Sequence, residues 1–393
     1  MAGSVLVALC AFTTPISVSA QSKATESKEA TILYNRGLGL YQQGKVDDAI
    51  VALRQAIAIN PQYVEALSNL GLALDTQGKY DEAILEFNTA LKLKPSDAVT
   101  QGNLGLALYH QGKYAESIAN YQKAIALKPD LREAYNGTGA ALFASGQTDD
   151  AIASYRKAIA LSPQYVDALN NLAAALDSKQ QWNESVHVYE QALALEPNAL
   201  DIRKNYAAAL QHTGQKDDAL GVYRKLVADA PNDPESWLEL GLLYSQSQQP
   251  KAAITSLEKS LTLKPNQPDA LFSLARSYQD QDRFEESIGA YQRGLVLKPD
   301  DAYALCGLGN AYLSDKRPEN AAADFRKALA AQPTLPEAFR GLGVALTESG
   351  DFSGAQSAFE KLIVLQPDNA DARFDLGNVL FKRGQYRPAA VGY

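Results

Sequence analysis

Ten prolines stand at a single spacing of 34 residues: Pro61, Pro95, Pro129, Pro163, Pro197, Pro231, Pro265, Pro299, Pro333 and Pro367. The chain has 393 residues and 17 prolines, so ten in one phase exceed chance. A fixed period of this length marks a stacked array of one supersecondary unit rather than a closed globule. Such a stack offers a surface and no built-in chemistry. The period therefore constrains how the chain acts more than what it acts on.

With each periodic proline at position 32, units begin at Ala30, Val64, Ala98, Arg132, Val166, Leu200, Pro234, Pro268, Ala302, Pro336 and Ala370. Other positions then align. Position 8 is small in every unit (Gly37, Gly71, Gly105, Ala173, Ala207, Gly343 and Gly377 among them), and so is position 20, from Ala49 and Ala83 to Ala389. Position 24 is large, with Phe87, Tyr121, Tyr155, Tyr189, Tyr223, Tyr291, Phe325 and Phe359, and leucine at Leu53 and Leu257. Small residues let two helices approach, and a large one fills the gap that remains. In the second unit Ala66, Leu67, Leu70, Ala73 and Leu74 recur at helical spacing. Gly78 interrupts the run, and Ala83, Ile84, Phe87, Ala90 and Leu91 begin a second stripe. Each unit reads as two antiparallel helices. A glycine suited to positive φ ends the first, and the periodic proline ends the second. Pro234, Pro268 and Pro336 open first helices, while Pro250, Pro318 and Pro388 fall near the start of second ones.

The run Leu70-Gly71, Leu74, Gly78-Lys79-Tyr80, Ala83, Phe87, Ala90 and Pro95 resembles the tetratricopeptide repeat, and the resemblance extends from Ala30 to Tyr393. It implies an all-α, right-handed superhelical solenoid of helix-turn-helix repeats. Ten complete units span 30–369, and an incomplete eleventh spans 370–393. It also implies that the first helices line a concave groove for an extended peptide or a partner's helix. The family is a binding architecture reused in many settings, so no single function follows.

Composition points the same way. Hydrophobic residues make up 46% of the chain and the formal charge is −8, so no basic field favours nucleic acid. No long apolar span follows the N-terminus, which excludes an integral helical membrane domain. Residues 1–20 read as an export signal: Ser4 to Val18 is apolar or small, and Val18-Ser19-Ala20 resembles a small-residue cleavage site. Residues 21–29 are a polar leader. On that reading the protein is exported to the periplasm or cell envelope. No Lys or Arg precedes the apolar stretch, however, and an uncleaved anchor or a frayed apolar terminus are the competing readings, with a cytoplasmic location if there is no signal. Once the signal is removed Cys306 is the one cysteine, and no internal disulfide can form. Cys306 falls at position 5, where the resemblance implies a groove-lining thiol, but the plainer reading is a small apolar residue tolerated by packing.

No catalytic, cofactor or metal site is expected. His110 and His212 both occupy position 13 but lie three units apart, His187 lies in a second helix, and no phosphate loop, nucleophile elbow or metal-spaced cysteine set is present. The acid pairs Asp47-Asp48, Asp81-Glu82, Asp149-Asp150 and Asp217-Asp218 recur early in second helices, where the helix dipole favours them.

Position 6 is more informative. Asn35, Asn69, Asn103, Asn171 and Asn205 repeat there, skipping Gly137. Each amide offers a donor and an acceptor, and a row of them can hold a peptide main chain with little demand on its sequence. The arrangement is similar to the asparagine ladder of the repeat domain of O-linked N-acetylglucosamine transferases. The same amides can instead bridge neighbouring helices. The row lapses at Glu239, Ser273, Gly307, Gly341 and Asp375. Beside it Tyr34, Leu38, Tyr41, Leu72, Leu106 and Tyr109 form an apolar and aromatic patch, available either to a partner or to the N-terminal leader. The two-lysine clamp that some family members use for a terminal carboxylate is missing; Lys204 stands alone.

Unit eleven stops at Tyr393 with no polar capping helix, which leaves self-association through that end, or a following domain, as expectations. The sequence thus reads as a non-catalytic scaffold binding extended peptides or partner proteins. The alternative is the substrate-recruiting arm of a larger enzyme such as a glycosyltransferase.

Overall fold

The structure, a computed structural model, describes residues 28–385. The expected export signal and the end of the eleventh unit lie outside the described residues. Those residues form 21 α-helices and no strand, the all-α repeat architecture expected. Two compact units divide between Gln215 and Lys216, inside the sixth 34-residue unit, a division of which the period gives no sign.

The first array holds α1 (Lys28–Gln42), α2 (Val46–Ile59), α3 (Val64–Thr76), α4 (Tyr80–Leu93), α5 (Ala98–His110), α6 (Tyr114–Leu127), α7 (Arg132–Ala144), α8 (Thr148–Leu161), α9 (Val166–Ser178), α10 (Trp182–Leu195) and α11 (Leu200–His212). The second holds α12 (Lys216–Asp229), α13 (Pro234–Gln246), α14 (Pro250–Leu263), α15 (Pro268–Gln279), α16 (Phe284–Leu297), α17 (Ala302–Ser314), α18 (Pro318–Ala331), α19 (Pro336–Glu348), α20 (Phe352–Leu365) and α21 (Ala370–Lys382). Within each array the two helices of a repeat pack most closely, and each second helix also packs on the next first helix.

The local signals explain these boundaries. Eleven turns place one residue in the left-handed region, seven times glycine (φ 74 to 86°) and four times Gln180, Gln248, Asp282 or Lys316 (φ 54 to 60°). At Gly78 the glycine N–H donates to the Asp75 carbonyl (2.9 Å) and the Lys79 N–H to the Leu74 carbonyl (3.0 Å), a closure that consumes the last carbonyls of α3. Second helices end two residues before the periodic proline, as α4 does at Leu93 ahead of Pro95. Lys94, Lys128 and Ser162 are drawn out to φ between −135 and −147°, because the proline ring disfavours a helical residue ahead of it.

The core repeats with the period. Phe87, Tyr121, Tyr155, Tyr189, Phe325 and Phe359 are fully buried. Position 8 is small because those rings press on it: a Cβ on Gly71 would come 2.7 Å from the Phe87 ring, and one on Gly343 2.6 Å from that of Phe359. The acid pairs do more than face a helix dipole. Asp81 accepts from Gln111 of the next repeat (2.6 Å), and Glu82 pairs with Arg54 of the preceding one (2.8 Å), so this pair ties its repeat to both neighbours.

Candidate interaction groove

The first helices of the first array touch one another through positions 5 and 6. The Asn69 amide donates to the Tyr34 hydroxyl (3.0 Å) and to the Glu65 carbonyl (2.9 Å), and the Asn171 amide donates to Asn136 Oδ1 (3.1 Å). Asn136 in turn donates to the Tyr165 hydroxyl (3.3 Å). The Asn69–Tyr34 and Asn171–Asn136 pairs are each 35 residues apart, one more than the period, because position 6 of one repeat sits beside position 5 of the repeat before it. A second seam runs two helical turns further on: Tyr41 meets Thr76 (2.9 Å), and His110 Nδ1 lies 3.0 Å from both carboxylate oxygens of the buried Asp75. The two position-13 histidines thus serve separate junctions. His212 stacks on Trp182 with ring centroids 4.0 Å apart. Near it, burial pushes the Asp177 carboxyl up, and the hydrogen bond from Tyr189 (2.9 Å) and the charge of His212 offset this only in part.

Among the expected groove residues, Asn69, Asn103, Asn171, Tyr34, Leu38, Leu72 and Leu106 are buried. Asn205, Tyr41 and Tyr109 are half-buried, and Asn35 is exposed. Two buried acceptors, the side-chain oxygens of Asn170 and Asn171, have no hydrogen-bond partner among the described residues. Asn136 and Asn170, both at position 5, belong to the same amide row. Sequence reasoning at a strict 34-residue period passed over them; a search at 35 finds the Asn136–Asn171 pair.

Three of the six lapses in the row have a packing cause. A Cβ at Gly137, Gly307 or Gly341 would collide with the ring of Tyr121, Tyr291 or Phe325 from the preceding repeat, so no asparagine fits there. In the second array the corresponding face is charged and more open. Tyr303 is 66% exposed, and Lys298 and Arg340 pair with Asp269 (2.8 Å) and Asp371 (3.8 Å). Cys306 is buried on this face, and burial, helped by the charge of Glu337, pushes its thiol up to about 12. It is packed and protonated rather than presented for reaction.

Family models described as tetratricopeptide repeat match residues 34–98, 272–336 and 340–392, and a second such model matches 178–240. A TPR repeat model matches 105–144 and 139–177. The chain belongs to the tetratricopeptide repeat family. A further model, described as anaphase-promoting complex, cyclosome, subunit 3, matches 212–294 of this tetratricopeptide array. Among solved structures, the C-terminal part of a TPR repeat-containing protein from Cytophaga hutchinsonii is 18% identical, with 61% of this chain and 98% of that one covered and a TM-score of 0.52. It supports the tetratricopeptide fold alone. MamA is 27% identical over 42% of this chain and 96% of its own (TM-score 0.40). YrrB, described as a TPR protein with an unusual peptide-binding site, is 22% identical over 47% and 95% (TM-score 0.43). No protein of curated function matches the chain.

Among the described residues no group of His, Cys, Asp and Glu is arranged to hold a metal ion, and no helix is long and apolar enough to cross a membrane.

Proposed function

We propose that the chain is a non-catalytic interaction scaffold whose first array captures an extended, largely apolar peptide along its first helices. One observation carries the reading: the amide oxygens of Asn170 and Asn171 on α9, buried with no hydrogen-bond partner among the described residues. A buried acceptor without a donor is costly, and a peptide main chain supplies N–H donors in a regular row. The apolar strip of Leu38, Leu72 and Leu106 beside the amides suits side chains projecting from such a peptide. This demands apolar character of the ligand and little else of its sequence.

A selection from a random peptide library on the intact chain, followed by calorimetric titration, tests the proposal. Binding to Asn170→Ala and Asn171→Ala variants should weaken by about 0.5–1.5 kcal/mol per lost hydrogen bond, with melting temperatures recorded alongside. Selected peptides that bind both variants as tightly as the parent would refute capture by these amides.

A further inference from the structure

Within the second array a cleft of about 390 Å³ opens between α16 and α18, with α17 as its floor. The floor residues Leu305, Leu308 and Tyr312 stand at positions 4, 7 and 11, so the cleft is distinct from the face built by positions 5, 6 and 9. Leu295 and Val296 of α16 form one wall, and Ala323, Asp324 and Lys327 of α18 form the other. A volume within about 300–1,000 Å³, an apolar lining and a few convergent polar groups are what a binding cleft needs.

The acid sets this junction apart. Asp324, at position 23, is 5% exposed, whereas the other repeats of the second array carry Val222, Ser256, Ala290 and Ala358 there. A buried carboxylate needs a cation, and the Lys327 ammonium supplies one at 2.7 Å. That lysine is not particular to the acid. Position 26 is also basic at Lys225, Lys259, Arg293 and Lys361, where no acid stands three residues earlier. The Lys327 side chain is 65% exposed, and holding so long a side chain in one place costs conformational entropy. The buried charge is thus fixed by the cleft, while its counter-charge can swing into water.

We propose that this cleft binds an arginine or lysine side chain of a partner protein, whose cation takes the place of Lys327 on Asp324. The aliphatic stem would lie along Leu305, Leu308 and Leu295, as long cationic side chains do on apolar surface. The rim favours a protein source over a free amine: Val296 is 79% exposed beside the cleft, an apolar contact that the residues flanking the cation would cover. The site lies within the second array and does not depend on peptide capture by the first.

The test is calorimetry and saturation-transfer NMR on the full chain at neutral pH, with the blocked tripeptides acetyl-Leu-X-Leu-amide in which X is arginine, lysine, norleucine or glutamate. The arginine and lysine peptides should bind at least tenfold more tightly than the other two. Asp324→Asn should erase that preference. Lys327→Met, which keeps the stem and removes the competing charge, should tighten the cationic peptides two- to fivefold; an ion pair of structural importance alone would not give opposite signs at its two members. Ala323→Leu, at an exposed position of the wall, should weaken the cationic peptides at least fivefold without altering any charge, and melting temperatures recorded for each variant separate lost binding from lost folding. Cationic peptides that bind folded Asp324→Asn and Ala323→Leu as tightly as the parent, or that weaken in Lys327→Met, would overturn the proposal. Butylguanidinium binding as tightly as the arginine peptide would make the cleft a site for free amines and overturn the partner assignment.

Discussion

The two arrays use the same core and spend their first-helix faces differently. In the first, positions 5, 6 and 9 include Tyr34, Asn69, Asn136, Asn171, Leu72 and Leu106, all buried, with Lys204 and Asn205 half-buried and Asn35 and Ala208 exposed; in the second, the same positions include Arg340, Glu239, Asn310 and Gly341, with Tyr303 two-thirds exposed nearby. Helix packing depends on positions 8, 20 and 24, which both arrays keep, so the groove is free to vary without cost to the stack. The comparison separates what a repeat needs in order to fold from what it can present to a partner.

The largest effects should therefore be equal in the two arrays. Phe87 and Phe359 are 0% and 1% exposed and occupy the same position. Replacing either with alanine should cost about 3–5 kcal/mol, measured by urea denaturation of the full chain with hydrogen exchange to locate the loss. A cost at Phe359 below half of that at Phe87 would break the claim of equivalent cores.

A smaller difference should favour engineering of the second array. Three consecutive turns there use Gln248, Asp282 and Lys316 in the left-handed region, while the first array has glycine at five of its six turns, Gln180 being the exception. A non-glycine residue in that region costs roughly 1–2 kcal/mol. Gln248→Gly, Asp282→Gly and Lys316→Gly should each recover part of it, less the greater entropy of glycine in the unfolded chain. Gly112→Ala in the first array should lose about 1 kcal/mol for the same reason. Melting temperatures that fall for the three glycine variants would show that these side chains have compensating contacts.

Position 24 sharpens the comparison within one array. The Tyr189 hydroxyl donates to Asp177, whereas the Tyr155 hydroxyl is buried without a partner among the described residues. The equivalent of Asp177 in its own repeat is Phe143, which offers no acceptor. Tyr155→Phe should stabilise the protein by about 1 kcal/mol and Tyr189→Phe destabilise it by a similar amount, read as opposite shifts of the denaturation midpoint.

The fold was legible because its determinants recur: the proline period, the turn glycines and the small-large alternation of positions 8 and 24 each appear many times, and the first-helix starts from Val64 to Ala370 coincide with the units drawn from the prolines. The candidate site was legible only in part. Asn69, Asn103 and Asn171 were visible as a row, and bridging between helices was one of its readings, but which neighbours Asn69 and Asn171 reach depends on a one-residue offset between stacked helices, which a strict period conceals. The gap at Gly137 looked like a missing asparagine and is the footprint of the Tyr121 ring. Nothing in the period marks the division at Gln215, because a repeat is defined by local spacing and a compact unit by contacts summed over many repeats.

Cys306 gives the smallest and most exclusive test of how the second array's face is built. Position 5 left an accessible groove thiol and a small residue held by packing as readings, and the second is what the structure has: Cys306 is buried, with the thiol pushed up to about 12. An ordinary thiol near 8.5 is substantially ionised at pH 8; one near 12 has a thiolate fraction lower by roughly 10³, since each unit is a factor of ten. Reaction of Cys306 with a disulfide reagent should accordingly be about a thousandfold slower than that of a free thiol at pH 8. It should still climb tenfold per pH unit through pH 10, where an ordinary thiol has already levelled off. Cys306→Ala should leave partner binding unchanged while costing the small packing loss of one buried sulfur. Rapid labelling at pH 8 in the folded chain would mean that the groove face at α17 opens, and the contrast between a packed thiol here and an exposed Asn310 four residues away would have to be redrawn.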